Sequence, residues 1–380
     1  MKIVLAPDSF KESLTALQVC DAMARGVRAV LPAAEIVKMP LADGGEGTVH
    51  TLVASTHGRL ITRHVIGPLG QAVEAEFGLL GDGNTAAIEM AAASGLPLVP
   101  PAQRNPLFTT TYGTGELISA ALDFDVSKII IGIGGSATHD CGTGMAQALG
   151  VRFYANENQV TDPMTGERLA EVTHIEVSDL DPRIGSCDIS VACDVDNPLL
   201  GERGAARVYS PQKGATPNIV QRLERHTAQI INLIESETQP VRDTPGAGAA
   251  GGLGAGLMAF LNASLHSGID TVLDACHFDE RISHADLILT GEGKLDEQSA
   301  MGKTIHGVLK RAQAHGIPVI ALGGVVCKDA EALYKQGLLS MFCICDRPMS
   351  LSEAMKQADP LVEKVTERIV RVTLRHSVSK

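Results

Sequence analysis

Short uninterrupted apolar runs alternate along this chain with stretches whose apolar residues recur every three or four positions, the two rhythms of buried strands and amphipathic helices. Lys2 to Ala6 reads as a strand closed by Pro7. Ala16, Val19, Cys20, Met23, Val27, Val30 and Leu31 then form one helical stripe, opened by a Thr15/Gln18 capping box and ended at Leu31-Pro32. Ile36 to Leu41 is a second short strand, followed by a helix over 48–56. Ile129, Ile130, Ile131 and Ile133 form a β-branched run without alternation, as expected of a parallel strand covered on both faces. Past residue 276 the same units return, with strands over 285–290, 318–322 and 340–345. A last helix opens at Asp359-Pro360 and turns Leu361, Val365, Ile369 and Val372 inward.

Between these units the rhythm changes. Residues 59–66, 72–80 and 85–90, joined by Gly67-Pro68-Leu69-Gly70 and Gly81-Asp82-Gly83-Asn84, read as an antiparallel meander with alternation at Val73, Ala75 and Phe77. A helix over 113–121 leads back to the isoleucine strand. From Val151 the chain is mixed: a turn-rich stretch over 156–168, a strand over 189–193, and a helix capped by Thr216 with Pro217 at its first position. That helix buries Val220, Leu223, Thr227, Ile230, Ile231 and Ile234, and a glycine-rich turn over 245–252 precedes a further helix over 253–265. The pattern predicts an α/β protein with a Rossmann-like (flavodoxin-like) parallel-sheet domain over 1–58, 113–150 and 276–380. A second mixed α/β domain with antiparallel strands, over 59–112 and 151–275, is inserted in the chain, and the active site is expected in the cleft between the two.

Length supports two domains, since 380 residues exceed the usual size of one core. A net charge of −12, no basic run and few aromatic residues argue against a nucleic-acid or anionic-membrane surface. The eight cysteines show no C-x-x-C pair and the N-terminus MKIVLAPDS has no apolar signal segment, so a reducing cytoplasmic setting is expected. Residues 246–265 are uncharged over a length that could span a bilayer, but their glycines, Asn262 and Ser264 favour a buried helix.

Several strand ends carry glycines together with Asp, Glu, Lys, Ser or Thr: residues 8–11, 43–48, 134–140, 194–197 and 291–296. Ligands bind at such ends in open α/β sheets. Backbone donors, carboxylates and a few lysines together are the inventory of phosphoryl transfer, where positioning and charge neutralisation dominate. A Walker A loop is excluded, because EQSAMGKT places Glu297 where the first glycine must be. Scattered histidines give no zinc spacing. Gly132, Gly134 and Ala137 loosely satisfy a dinucleotide fingerprint, so a nicotinamide-dependent oxidoreductase acting on a small hydroxy acid is the competing class. That class needs a long helix after the glycines and an acid closing the next strand, whereas Val151 to Tyr154 runs into a polar turn. A non-catalytic sugar-acid binder would gain nothing from five neighbouring carboxylates.

Nine segments in order carry a family resemblance: PDSFKESLTA (7–16), ADGGEGT (42–48), IEMAAASGL (88–96), TYGTGELI (111–118), IIIGIGGSATHD (129–140), VACDVDNPL (191–199), PQKGA (211–215), PGAGAAGGLGAGL (245–257) and LTGEGKLDEQSAMGK (289–303). Together they resemble the bacterial type-1 glycerate kinases. The resemblance implies a cytoplasmic, ATP- and magnesium-dependent (Mg2+) enzyme that phosphorylates D-glycerate, usually to 2-phosphoglycerate, and no nucleic-acid or membrane partner. Homo-oligomerisation stays open. The chain departs from the family loop SATNDGG at His139 and Cys141, and His139 reads as a packing or surface residue.

Individual roles follow from chemistry rather than from the resemblance. Gly134, Gly135, Ser136 and Thr138, with Gly291 and Gly293, are the candidate ATP cradle. Lys294 and Lys11 are the candidate charge neutralisers and Asp194 the candidate base; Asp8, Asp43 and Lys213 are the candidate substrate contacts and Glu292 and Asp296 the candidate metal ligands. Each acid also has a structural reading. Asp8 or Asp43 would cap a helix, Asp296 would pair with a surface lysine, and Asp194 would form an Asx turn before Asn197-Pro198.

Overall fold

A computed structural model describes residues 1–377, with side chains through Thr373. The chain divides into two compact units, one made of Met1–Asp43, Ala54–Thr56 and the chain from Ile269 onward, the other of Gly44–Val53 and His57–Gly268.

The first unit is built on a five-stranded parallel sheet in the order Ser340–Cys343, Val319–Val326, Leu287–Leu295, Lys2–Leu5 and Glu35–Lys38. Its core joins Ile3, Leu5, Leu287, Leu289, Ile320 and Leu322 of the sheet to Val19, Met23 and Val27 of the helix Ala16–Arg28 and Val362 and Ile369 of the helix Ala358–Ser377. The Thr15/Gln18 capping box is present, with Gln18 N donating to Thr15 Oγ1 at 3.3 Å and Thr15 N to Gln18 Oε1 at 2.9 Å. Two expected loops are strand instead. Residues 291–295 and 323–326 extend their strands past the expected ends, pairing Glu292 with Gly323 and Lys294 with Val325. The glycines allow this by close backbone approach, since a Cβ on Gly291 would lie 2.3 Å from Leu322 O and one on Gly324 2.7 Å from Gly293 O.

The second unit holds a six-stranded mixed sheet in the order Ser264–His266, Asp188–Ala192, Lys128–Gly132, Thr85–Glu89, Ala72–Leu79 and Arg59–Ile66. The first four strands are mutually parallel, and the meander strands add to them antiparallel. This corrects the expectation that 113–150 belongs with the first domain. The isoleucine strand pairs with Thr85–Glu89 on one side and Asp188–Ala192 on the other, in the sheet of the second unit. An all-apolar strand reads alike in any sheet covered on both faces, so its partners are set by tertiary packing.

The helix Tyr112–Leu122 covers this sheet through Leu117, Ile118 and Ala121. The helix Pro217–Glu237 has the expected Thr216 cap, with Leu223, Thr227, Ile230, Ile231 and Ile234 buried and Val220 half-buried. A small antiparallel sheet of Arg152–Ala155, Asn158–Gln159 and His174–Glu176 fills the turn-rich stretch. The glycine-rich span Ala249–Leu261 is broken near its start, where Ala250, Gly251 and Gly252 take left-handed φ, so its continuous helix begins at Leu253 as the pattern predicts and stops early, at Asn262, also in the left-handed region. Among the described residues no helix is long and apolar enough to cross a membrane.

Glycine 26 tests the packing of the first unit. Gly→Ala on an exposed helix face stabilises by about 1 kcal/mol, but here the added Cβ would sit 2.4 Å from Glu363 O and 2.8 Å from Thr366 Cβ. Overpacking of this kind costs about 1–3 kcal/mol, so Gly26→Ala is expected to lower the urea midpoint of this unit. A midpoint at or above that of the parent chain would contradict the tight helix contact.

Candidate active site

In the first unit the chemistry gathers where the central parallel strands end. Lys2–Leu5 leads through Pro7 to Asp8, whose N–H donates to Gly291 O at 2.8 Å on the neighbouring strand. The Asp8 carboxylate accepts from Ser9 N at 2.6 Å and from Thr304 Oγ1 at 2.6 Å, at the start of the helix Thr304–Ala314. Burial raises its pKa above the ordinary carboxylate range, and the nearby Asp43 adds to the rise. Glu292, on Leu287–Leu295, is pushed up to about 7, first by burial and further by Asp8, against a lowering hydrogen bond with Ser299. Its Oε1 is buried without a hydrogen-bond partner.

Around this pair the other sequence candidates separate by role. Gly293 leaves room beside the 8–11 turn, since a Cβ there would meet Lys11 N only at 3.5 Å, whereas Gly291 is consumed by sheet packing. Lys11 is exposed. Lys294 is exposed and pairs with Asp296 at 2.9 Å, which holds the Asp296 carboxyl below the usual range. Asp296 also caps the turn Glu297–Ala300 by accepting from Gln298 N at 3.0 Å. Its structural reading therefore describes it better than the metal-ligand reading. Thr304 and Ser299 are contacts that the sequence reading missed; the only signal for Thr304 was the Gly302-Lys303-Thr304 triplet, set aside with the Walker A test.

In the second unit three parallel strands bring their carboxyl ends into register, with Glu89 and Ala192 both opposite Gly132. Past that line lie the Glu89 carboxylate, the turn Gly134 to Thr138 and Asp194. Gly134 and Gly135 are exposed, and Gly135 has φ +73°, a conformation that suits glycine. Directly after them the chain is buried: Ser136 is 7% exposed, and Thr138, His139 and Asp140 are fully enclosed. Ala137 N donates to Ser94 O at 3.0 Å and Leu96 N to Gly135 O at 2.8 Å, fastening the turn to the segment after Thr85–Glu89.

Asp140 anchors the far end of the turn. It accepts from Thr111 N at 2.8 Å, Thr111 Oγ1 at 2.7 Å, Gly142 N at 3.2 Å and Gly144 N at 3.3 Å, while its burial raises its pKa. His139 is a packing residue, as expected. Its Nε2 meets Thr227 Oγ1 at 3.0 Å, and burial, then Lys213, lowers its pKa to about 3, so it stays neutral. Lys213 is also enclosed, at 1% exposure. It donates to Ser136 Oγ at 2.6 Å and to Thr138 O at 2.7 Å, so its head group is turned toward the turn rather than out to a substrate. Asp194 is exposed and its Oδ1 accepts from Gly268 N at 2.8 Å. Glu89, missed by the sequence reading inside IEMAAASGL, accepts from Val49 N at 2.8 Å and has a pKa raised by burial.

The dinucleotide reading fails on this geometry. The helix after the glycines, Thr143–Ala148, is six residues long, and the next strand, Arg152–Ala155, leaves for the small antiparallel sheet instead of returning beside the isoleucine strand.

Comparison with known proteins completes the picture. The model of the glycerate kinase family matches residues 3–374. The chain belongs to the glycerate kinase family. It is 51% identical to a glycerate kinase of Halalkalibacterium halodurans over 98% of both chains, and 47% identical to a glycerate 2-kinase of Escherichia coli over 94% of both. A solved structure from Salmonella typhimurium, described as a candidate glycerate kinase 2, superposes with a TM-score of 0.91 at 46% identity and full coverage of both chains. The family assignment agrees with the mixed α/β architecture and with strand ends rich in glycine and carboxylates.

The Glu292 carboxyl supplies a test of this electrostatic account. Its pKa rises from 4.5 to about 7 on folding, so the stability tied to its neutral form is complete below pH 4.5 and is lost as the pH climbs through 7. In metal-free buffer Glu292→Gln is therefore expected to be more stable than the parent chain at pH 8, by roughly 1–3 kcal/mol, and nearly equal to it at pH 4. Urea titrations at both values check this, and a constant difference between them would show that Glu292 does not titrate in this way.

Proposed function

We propose that this protein is a glycerate kinase that transfers the γ-phosphoryl group of ATP to D-glycerate and forms 2-phosphoglycerate. The observation that carries the reading is full-length identity of about half to the glycerate kinase of Halalkalibacterium halodurans. The printed name of the Escherichia coli relative, glycerate 2-kinase, favours the 2-position. In this reading a glycerate hydroxyl oxygen attacks the γ-phosphorus, its proton passes to the Asp194 carboxylate, and the bond to ADP breaks.

Each residue has a task that its geometry supports. Asp194 is exposed at a strand end and oriented by the Gly268 N–H, the placement a general base needs. Gly134 and Gly135 present backbone at the exposed end of a rigid turn, suited to phosphate oxygens. Lys11 and Lys294 are exposed cations beside the first unit's acids and neutralise the transferring charge, while Asp43 orients the glycerate hydroxyls. Magnesium fits this inventory, because it takes one or two carboxylates and completes its shell with phosphates and water. Asp8 and Glu292 are the pair that would hold it: both carboxyls are raised by burial, Asp8 raises Glu292 further, and the Glu292 Oε1 is a buried acceptor without a hydrogen-bond partner. Bound there, the ion would offset phosphate charge as a Lewis acid.

A coupled assay for ADP release with D-glycerate and Mg-ATP tests the activity, and phosphorus NMR of the product separates the 2- from the 3-phosphate. Absence of D-glycerate-dependent ADP release from folded protein would remove the proposal. Two substitutions test the roles. Asp194→Asn keeps an oxygen for Gly268 N and is expected to reduce kcat by roughly 10²–10⁴ without raising the magnesium requirement. Lys294→Ala is expected to lower kcat at an unchanged melting temperature, since its side chain is 61% exposed. Near-parental kcat in either folded variant withdraws that residue from the mechanism.

A further inference from the structure

Lys213 is among the largest fully enclosed side chains of the protein, and its surroundings do not suit a permanent charge. Both of its hydrogen bonds go to neutral oxygens, Ser136 Oγ and Thr138 O. The charged group facing it is Asp140, whose oxygens already accept from Thr111, Gly142 and Gly144. The other titratable group facing it is the neutral His139, itself influenced by His226. An enclosed ammonium without a directly bonded counter-ion costs several kcal/mol. Burial accordingly lowers the Lys213 pKa to about 7, with Asp140 opposing the fall. A neutral amine has two N–H groups, and the two acceptors in place match them. The Thr138 hydroxyl, buried on the same turn, has no partner at all.

These groups hold the inner side of the turn whose outer side, Gly134 and Gly135, is exposed. We propose that Lys213 is a positioning residue that touches no substrate and takes up one proton from solvent when an anionic ligand settles on the Gly134 to Thr138 turn. The incoming charge and the buried amine are then coupled through Ser136: the anion supplies the missing counter-charge, and the ammonium strengthens the donors aimed at the anion. This rests on the kinase reading only in taking the turn as the receiver of an anion. The ligand chemistry is an anionic oxygen, either of a nucleotide phosphate or of the glycerate carboxylate, and the two are separated by the experiment.

Binding heats of Mg-ATP and of D-glycerate, each titrated alone in two buffers of different ionisation enthalpy, count the protons taken up. At pH 8 the ligand that occupies the turn is expected to bring in close to one proton, and at pH 6 close to none. Lys213→Met, which keeps the length and apolar stem, should bind more weakly and lose the uptake. Ser136→Ala keeps the lysine but cuts the link to the turn, and should reduce the uptake even if the methionine variant fails to fold. In steady-state kinetics KM for that ligand should rise about tenfold per pH unit above 7 in the parent chain, and stay flat in Lys213→Met. Uptake that persists unchanged in Lys213→Met, or parental heats for both ligands that do not depend on the buffer, would overturn the proposal. Turnover of D-glycerate is measured separately, so such a result would leave the kinase reading standing.

Discussion

The second unit depends on one buried carboxylate. Asp140 is enclosed at the end of the turn after the central strand, where an uncompensated charge would cost several kcal/mol. Four donors offset that cost and tie two pieces of chain to it: Thr111 N and Oγ1 at the start of the helix Tyr112–Leu122, and Gly142 N and Gly144 N at the start of Thr143–Ala148. Gly144 has no alternative, because a Cβ there would fall 2.4 Å from Thr110 Oγ1 and 2.9 Å from the carboxylate itself. With Asp140 fixed at one end and the strand at the other, the residues between them have little freedom. That rigidity holds the exposed pair Gly134 and Gly135 in one conformation at the strand end.

Both units gather carboxylates and glycines at the carboxyl ends of parallel strands, for the same physical reason. Parallel strands in register end together, so residues distant in sequence meet at one edge: Glu89, Gly134 and Asp194 in one unit, Asp8 and Glu292 in the other. Burial at such an edge strengthens electrostatics. It raises the pKa of Asp8, Glu89 and Glu292, and full enclosure behind the Gly134 to Thr138 turn lowers that of Lys213, in each case mainly by removing water from the charged form. Groups held away from their preferred charge state are those to which a cation, an anion or a proton binds most favourably.

Much of this was legible in the chain itself. Helix starts are local chemistry, and the Thr15/Gln18 box and the Thr216-Pro217 cap are found where their residues predict. The apolar stripes of those helices, the meander and the glycine-acid character of the strand ends are equally local, and the ordered motifs were enough to indicate the family. Pairing was not legible. Ile129 to Ile133 is apolar all round, and that pattern holds no information about which strands will flank it.

Tertiary structure decided what each polar residue does, because a side chain's role depends on its burial and on partners far away in sequence. Asp194, Asp296 and Asp8 look alike as acids beside glycines or turn formers. Folding leaves the first exposed against Gly268 N, makes the second a cap and an ion-pair partner of Lys294, and half-buries the third against Thr304. Lys213 lies 75 residues from Thr138, and its sequence neighbours mark only a turn. The sequence determined the elements, the family and the kind of chemistry at the strand ends. Long-range contacts alone decided that Gly291 serves the sheet, that Thr304 joins the acids, and that a lysine is sealed behind the glycine turn, since burial energy is a property of the folded surroundings.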